Sequence, residues 1–128
     1  MPRFTLIEAD ARKCAFLREV ARQTGISQAG IAVDILCARA ESARISVNEG
    51  LPRVVSARAL APLDRLFELA APFCPPGTTL LLLKGKEAER EVQQALNRWQ
   101  FQVALRPSHT DSHGRVAVVT NLERKAKD

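Results

Sequence analysis

Residues 78–83 read TTLLLL and end at Lys84-Gly85. Such a run is apolar on both faces of an extended chain, and it predicts a central strand covered by helices above and below. The rest of the sequence supplies the helices. Residues 11–23 place Cys14, Leu17, Val20 and Ala21 at helical spacing, with basic residues on the other side and Thr24-Gly25 as a stop. Residues 61–71 repeat the pattern with Leu63, Leu66, Phe67 and Ala70. Pro62 sits in the first turn, and Pro72, Pro75 and Pro76 lie past the end. A third helix over 86–98 carries Val92, Ala95, Leu96 and Trp99 on one stripe.

Between them lie short strand-like segments. Residues 4–8 (FTLIE) form an apolar, partly β-branched run ending in an acid, and residues 31–37 (IAVDILC) form a second. A short helix or loop over 40–48 and a turn at Glu49-Gly50 lead to a third strand at 53–56. Two closing strands, 101–105 and 116–120, flank the polar loop SHTDSHG. Strands alternating with helices imply right-handed crossovers and a mostly parallel α/β sheet, from which the final hairpin-like pair departs. Ligands of such sheets sit at the carboxyl ends of strands. The residues to inspect are therefore 8–10, 38–41, 57–58 and 84–86.

With 128 residues, 46% of them hydrophobic, the chain can bury the core of one globular domain. No apolar run approaches the roughly 20 residues of a membrane helix. Met1-Pro2-Arg3 leads straight into a strand with no secretory pattern. Cys14, Cys37 and Cys74 are odd in number and far apart in sequence, without paired-ligand spacing. This predicts reduced, buried thiols in a cytoplasmic protein and no metal site. Nineteen Lys and Arg against fourteen Asp and Glu give a net charge of +5 and a pI near 9.6, compatible with a polyanionic partner. Most of the cations are arginine, whose planar fork suits phosphate, although solvated helix faces account for many of them.

Three strand ends carry candidate chemistry. Glu8 can accept hydrogen bonds from the two hydroxyls of a ribose, or it is an exposed neighbour of Asp10 capping the next helix. Arg58 can pair a cofactor carboxylate or a nucleic-acid phosphate, or it pairs with Asp64 or Glu41. Lys84 stands beside Gly85, whose missing side chain admits a substrate to the backbone. The HTDSH segment, with His109 and His113 around Asp111, reads as a solvent-exposed turn because Pro107, Ser108, Ser112 and Gly114 break any helix. No Gly-flanked nucleophile and no GxGxxG loop is present, and no residue is assigned a catalytic role.

FTLIEADARKCAFLREVAR, CARAES, VVSARALAPLDRLFELAAPFCPPG, LLLLKGK and, more loosely, GRVAVVTN together resemble the RsmG (GidB) methyltransferases. SARALAPL and the KG after an apolar strand are the most specific pieces, and the resemblance spans nearly the whole chain. It implies a Rossmann-like methyltransferase sheet, mostly parallel with an antiparallel final strand. The implied activity is transfer of a methyl group from S-adenosylmethionine to N7 of a guanine in bacterial 16S rRNA. Carried over by motif position, Glu8 holds the cofactor ribose, Ala40 and Glu41 line the adenine pocket, and Arg58 sits at the edge of cofactor and substrate. Arg12, Lys13, Arg58, Lys84 and Arg115 are the implied RNA contacts.

Members of the family carry, ahead of this segment, a first strand and a GxGxG-type loop that cradles the methionine end of the cofactor. The resemblance therefore implies a sheet truncated at its amino terminus: a partial methyltransferase domain over residues 1–121 and a charged tail over 122–128. In the family fold that strand lies between those of FTLIE and RVVSA, so its loss exposes two apolar edges. Asn121 stands where the family tends to have lysine. The rival readings are a non-catalytic RNA-binding remnant and, with less support, a nucleotide-using enzyme of another Rossmann type. The sequence sets neither the target nucleotide nor the oligomeric state.

Overall fold

The computed structural model describes residues 2–44, 54–58 and 61–126. Its first strand, β1 (Arg3–Glu8), runs parallel to β2 (Ala32–Cys37), in register from Arg3 opposite Ala32 to Glu8 opposite Cys37. Helix α1 (Ala11–Thr24) connects them. The Asp10 carboxylate accepts the Arg12 and Lys13 N–H groups at 2.8 and 3.4 Å, satisfying donors that a helix start otherwise leaves unpaired. Gly25 ends the helix at φ 63°, where a side chain would be strained. These elements belong to an amino-terminal unit, Met1–Arg44; a second unit spans Ile45–Asp128.

The carboxyl-terminal unit holds β3 (Val54–Ala57), α2 (Leu63–Ala70), a short 3-10 turn at Ala71–Phe73, β4 (Thr79–Lys84), α3 (Ala88–Ala95), β5 (Trp99–Pro107) and β6 (Arg115–Arg124). Its sheet has the order β3-β4-β6-β5. β3 and β4 are parallel, and β6 inserts antiparallel to both β4 and β5. The mostly parallel sheet with an antiparallel last strand is thus the observed one. The HTDSH segment is the hairpin turn between β5 and β6: His113 N–H donates to Asp111 at 2.9 Å, and both histidines are exposed. Gly114 is closely packed there: a Cβ would lie 3.0 Å from the Ser108 Cβ and 3.2 Å from the Asp111 Cβ, so its neighbours would have to shift.

Two expectations need correction. Leu80 and Leu82 are fully buried beneath α2 and α3, whereas Leu83, on the opposite face, is 46% exposed. Within this unit, α2 and α3 therefore cover one face of β4. The tail also begins later than residue 122. β6 continues to Arg124, which pairs with Trp99 and sets its guanidinium 5.2 Å from the centre of the indole ring, while Leu122 packs on the core. The predicted segment over 40–48 is described only as far as Arg44, and the Glu49-Gly50 turn and Arg53 lie outside the described residues.

Candidate functional site

The carboxyl ends of β1 and β2 form one rim. Glu8, the last residue of β1, has a half-buried side chain. One carboxylate oxygen accepts the Asp10 N–H at 3.1 Å; the other lies 4.0 Å from Lys13 Nζ. The Asp10 contact fixes the carboxylate, and the lone pairs left over can accept further donors. Glu8 is thus neither a loose surface acid nor the helix cap, which is Asp10. Three residues past Cys37, its register partner, the chain turns at Ala40, with Ser42 and Ala43 N–H groups both donating to Arg39 C=O at 3.0 Å. Ala40 is half-buried and Glu41 exposed. Arg12 and Lys13 are exposed on the first turn of α1. Glu8, Arg12, Lys13, Ala40 and Glu41 therefore share one unit.

The second rim lies in the carboxyl-terminal unit, at the ends of β3 and β4. Arg58 follows β3 directly and is exposed. Asp64, one of its expected partners, is engaged instead by Arg98 at 3.1 Å. Lys84, expected at an RNA surface, is buried. Its ammonium lies 2.7 Å from a Glu91 carboxylate oxygen and donates to Ala61 C=O at 2.9 Å. The same Glu91 oxygen accepts the Leu63 N–H at 2.9 Å. Pro62 has no side chain with which to cap α2, so a carboxylate from α3 satisfies the first donor of that helix and Lys84 neutralises it. Lys84 is a clamp between β4, α2 and α3 rather than an outward cation.

Arg115, the register partner of Lys84, is half-buried, donates to Gly114 C=O at 2.9 Å and lies 3.9 Å from Glu89. Beside the clamp lies a cleft of about 520 Å³, lined by Pro62, Gly85, Lys86, Arg90 and Gln94 among others, within the size range of small-molecule sites. Its hydrogen bond from Arg90, at 2.6 Å, holds the Glu87 carboxyl below the usual carboxylate range.

The family model described as rRNA small subunit methyltransferase G matches residues 2–117. The chain belongs to the rRNA small subunit methyltransferase G family. It is 38% identical over 122 residues to the ribosomal RNA small subunit methyltransferase G of Dinoroseobacter shibae, covering 95% of this chain and 58% of that protein. To the Parvibaculum lavamentivorans protein of the same name it is 44% identical over 117 residues, covering 91% and 49%. The chain thus spans about half the length of the curated relatives it matches. A Clostridium thermocellum structure described as an rRNA-methylase superposes with a TM-score of 0.58 at 10% identity, over 98% of this chain and 74% of that one. The carboxyl-terminal domain of precorrin-6Y C5,15-methyltransferase from Rhodobacter capsulatus gives 0.50 at 15% identity, over 96% and 68%. The fold is that of methyltransferases, and among the described residues no helix is long and apolar enough to cross a membrane.

Sequence reasoning missed Glu91 and misjudged the thiols. Glu91 shares a stripe with Ala88, Val92 and Ala95, and a charge on an apolar stripe was the available signal. Cys14 is buried as expected, but Cys37 is exposed and Cys74 is intermediate. Cys37 is the last residue of β2 and the register partner of Glu8, whose carbonyl oxygen accepts the Cys14 thiol.

Proposed function

We propose that the protein to which these residues belong transfers a methyl group from S-adenosylmethionine to N7 of a guanine in bacterial 16S rRNA, in the cytoplasm. The observation that carries this reading is the Glu8 carboxylate, fixed at the end of a parallel strand in a chain that matches the family over residues 2–117. A carboxylate so placed accepts the two ribose hydroxyls, and the small side chain of Ala40 leaves room for a flat base beside it, with Glu41 at the edge. The residues present thus fit the adenosine end of the cofactor. When bound, S-adenosylmethionine supplies an electrophilic methyl group.

Guanine N7 is already nucleophilic, so the chain's residues need only bind and orient; none has to remove a proton from N7 before attack. Arg58 offers a permanent cation at the exposed end of β3, suited to an RNA phosphate or to the cofactor carboxylate. Arg12, Lys13 and Arg115 extend the basic surface, consistent with the +5 net charge. Lys84 acts from inside, through the clamp.

The test is transfer of labelled methyl from S-adenosylmethionine to small-subunit rRNA by the full-length protein and its Arg58→Ala variant. Arg58→Ala is expected to fold normally and to lose roughly ten- to a hundredfold in rate, as misplaced reactants do. Unchanged transfer by the variant removes Arg58 from the site. Salt-dependent rRNA binding with no labelled guanine from the parent protein replaces the reading with that of a non-catalytic RNA-binding protein.

A further inference from the structure

Cys14 and Cys37 lie on different elements but both flank Glu8, the last residue of β1. The Glu8 carbonyl oxygen accepts the Cys14 thiol at 3.2 Å and the Ala38 N–H at 3.0 Å, and Cys37 is the register partner of Glu8 across β1 and β2. Burial, with the Cys37 thiol adding to it, raises the Cys14 thiol above the ordinary thiol range. Their exposures are opposite: Cys14 is fully buried and Cys37 faces solvent. An exposed sulfur backed by a buried one is the arrangement of an attacking and a resolving thiol.

We propose that Cys14 and Cys37 form a reversible dithiol/disulfide couple, a modification site that regulates the adenosine pocket at Glu8. Hydrogen peroxide is the oxidant. The Cys37 thiolate attacks one peroxide oxygen; an S–O bond forms, the O–O bond breaks, and the departing hydroxide takes a proton to become water. The Cys14 sulfur then attacks the sulfenic sulfur of Cys37; the S–S bond forms, the S–O bond breaks, and the second hydroxide leaves as water with the Cys14 proton. Two thiols lose two electrons and two protons, and one peroxide is reduced to two waters. Burial pushes the Cys14 thiol up, so the exposed Cys37 is the first of the two to meet the oxidant.

The disulfide also changes Glu8. Once oxidised, Cys14 has no S–H to donate, so the Glu8 carbonyl loses one of its two donors, and the cross-link draws the first turn of α1 toward the end of β2. Asp10, which fixes the Glu8 carboxylate, lies in that connection. The regulatory half of the proposal rests on the reading of Glu8 as the ribose-binding acid; the disulfide half does not.

Peroxide treatment of the 128-residue chain, alkylation and tryptic mapping test the disulfide. The expected product links peptide 14–18 to peptide 23–39 and disappears on reduction with dithiothreitol. Cys74, whose thiol burial pushes up to about 11, is the control and stays reduced. Cys37→Ser is expected to abolish the cross-link, and Cys14→Ser to leave a dimedone-reactive sulfenic acid on Cys37. Sulfinic Cys37 without a cross-link, or a link to Cys74 or to a second chain, overturns the proposal. Titration of reduced and oxidised full-length protein with S-adenosylmethionine tests the regulation. The oxidised form is expected to bind on the order of tenfold more weakly, the effect of disturbing one hydrogen bond to a charged group. Equal binding by both forms overturns the regulatory role. Binding by neither form while the cross-link is present identifies the reading of Glu8 as the failure.

Discussion

In the carboxyl-terminal unit Phe67 is fully buried, edge-on to Trp99 at 5.8 Å and to Phe101 at 4.9 Å, within a cluster drawn from α2, α3, β4 and β6. In the amino-terminal unit the buried apolar residues are Cys14 and Ala43, while Phe4 is 54% and Phe16 67% exposed. The carboxyl-terminal unit is ordered by packing. The amino-terminal unit relies more on its parallel strand pair, a capped helix and hydrogen bonds around Glu8. One consequence for function is that the RNA-facing candidates Arg58 and Arg115 stand on a scaffold with a large core, whereas the adenosine-side candidates stand on a lightly packed one. Weakly packed segments open at lower free energy, which suits a pocket that responds to a modification.

Three substitutions probe this difference. Phe67→Ala carries the largest expected effect, about 3–5 kcal/mol of lost stability, because it empties the centre of the aromatic cluster. Chemical denaturation measures it, and a loss below about 1 kcal/mol would mean that the cluster does not govern the carboxyl-terminal unit. Lys84→Met comes next. It leaves the Glu91 carboxylate largely buried without its cation and is expected to cost about 3 kcal/mol. The salt dependence of rRNA binding by full-length protein is expected to stay the same, and a shallower slope would restore Lys84 as a phosphate contact. Asp10→Ala has the smallest effect, about 1 kcal/mol from the lost helix cap. Amide exchange is expected to quicken in α1 and leave β4 and β6 as protected as before. Equal quickening in both units would erase the distinction between them.

Much of the fold is legible because local pattern and tertiary role agree. The helical spacing of Leu63, Leu66, Phe67 and Ala70 corresponds to the face that is buried, and every predicted strand with described residues is present. The closing strands are longer than their apolar centres suggest, because ladder hydrogen bonds and the Trp99–Arg124 contact extend pairing into polar sequence. The candidate residues were placed at strand ends because the carboxyl edge of a parallel sheet follows from the topology alone. The state of each side chain there was not legible. Lys84 and Arg58 both follow strands, yet one is clamped by Glu91 and the other is exposed.

The sequence by itself determined the alternation of strands and helices, the cap and stop of α1, and the strand ends where charged residues gather. These depend on neighbours within a turn or two, through periodicity and backbone conformation. Only the tertiary structure decided that β6 would slot between β4 and β5, that the Lys84 charge would turn inward, and that Cys14 and Cys37 would both flank Glu8. Each depends on groups distant in sequence, and the burial and charge pairing that fix them arise only when the chain has folded.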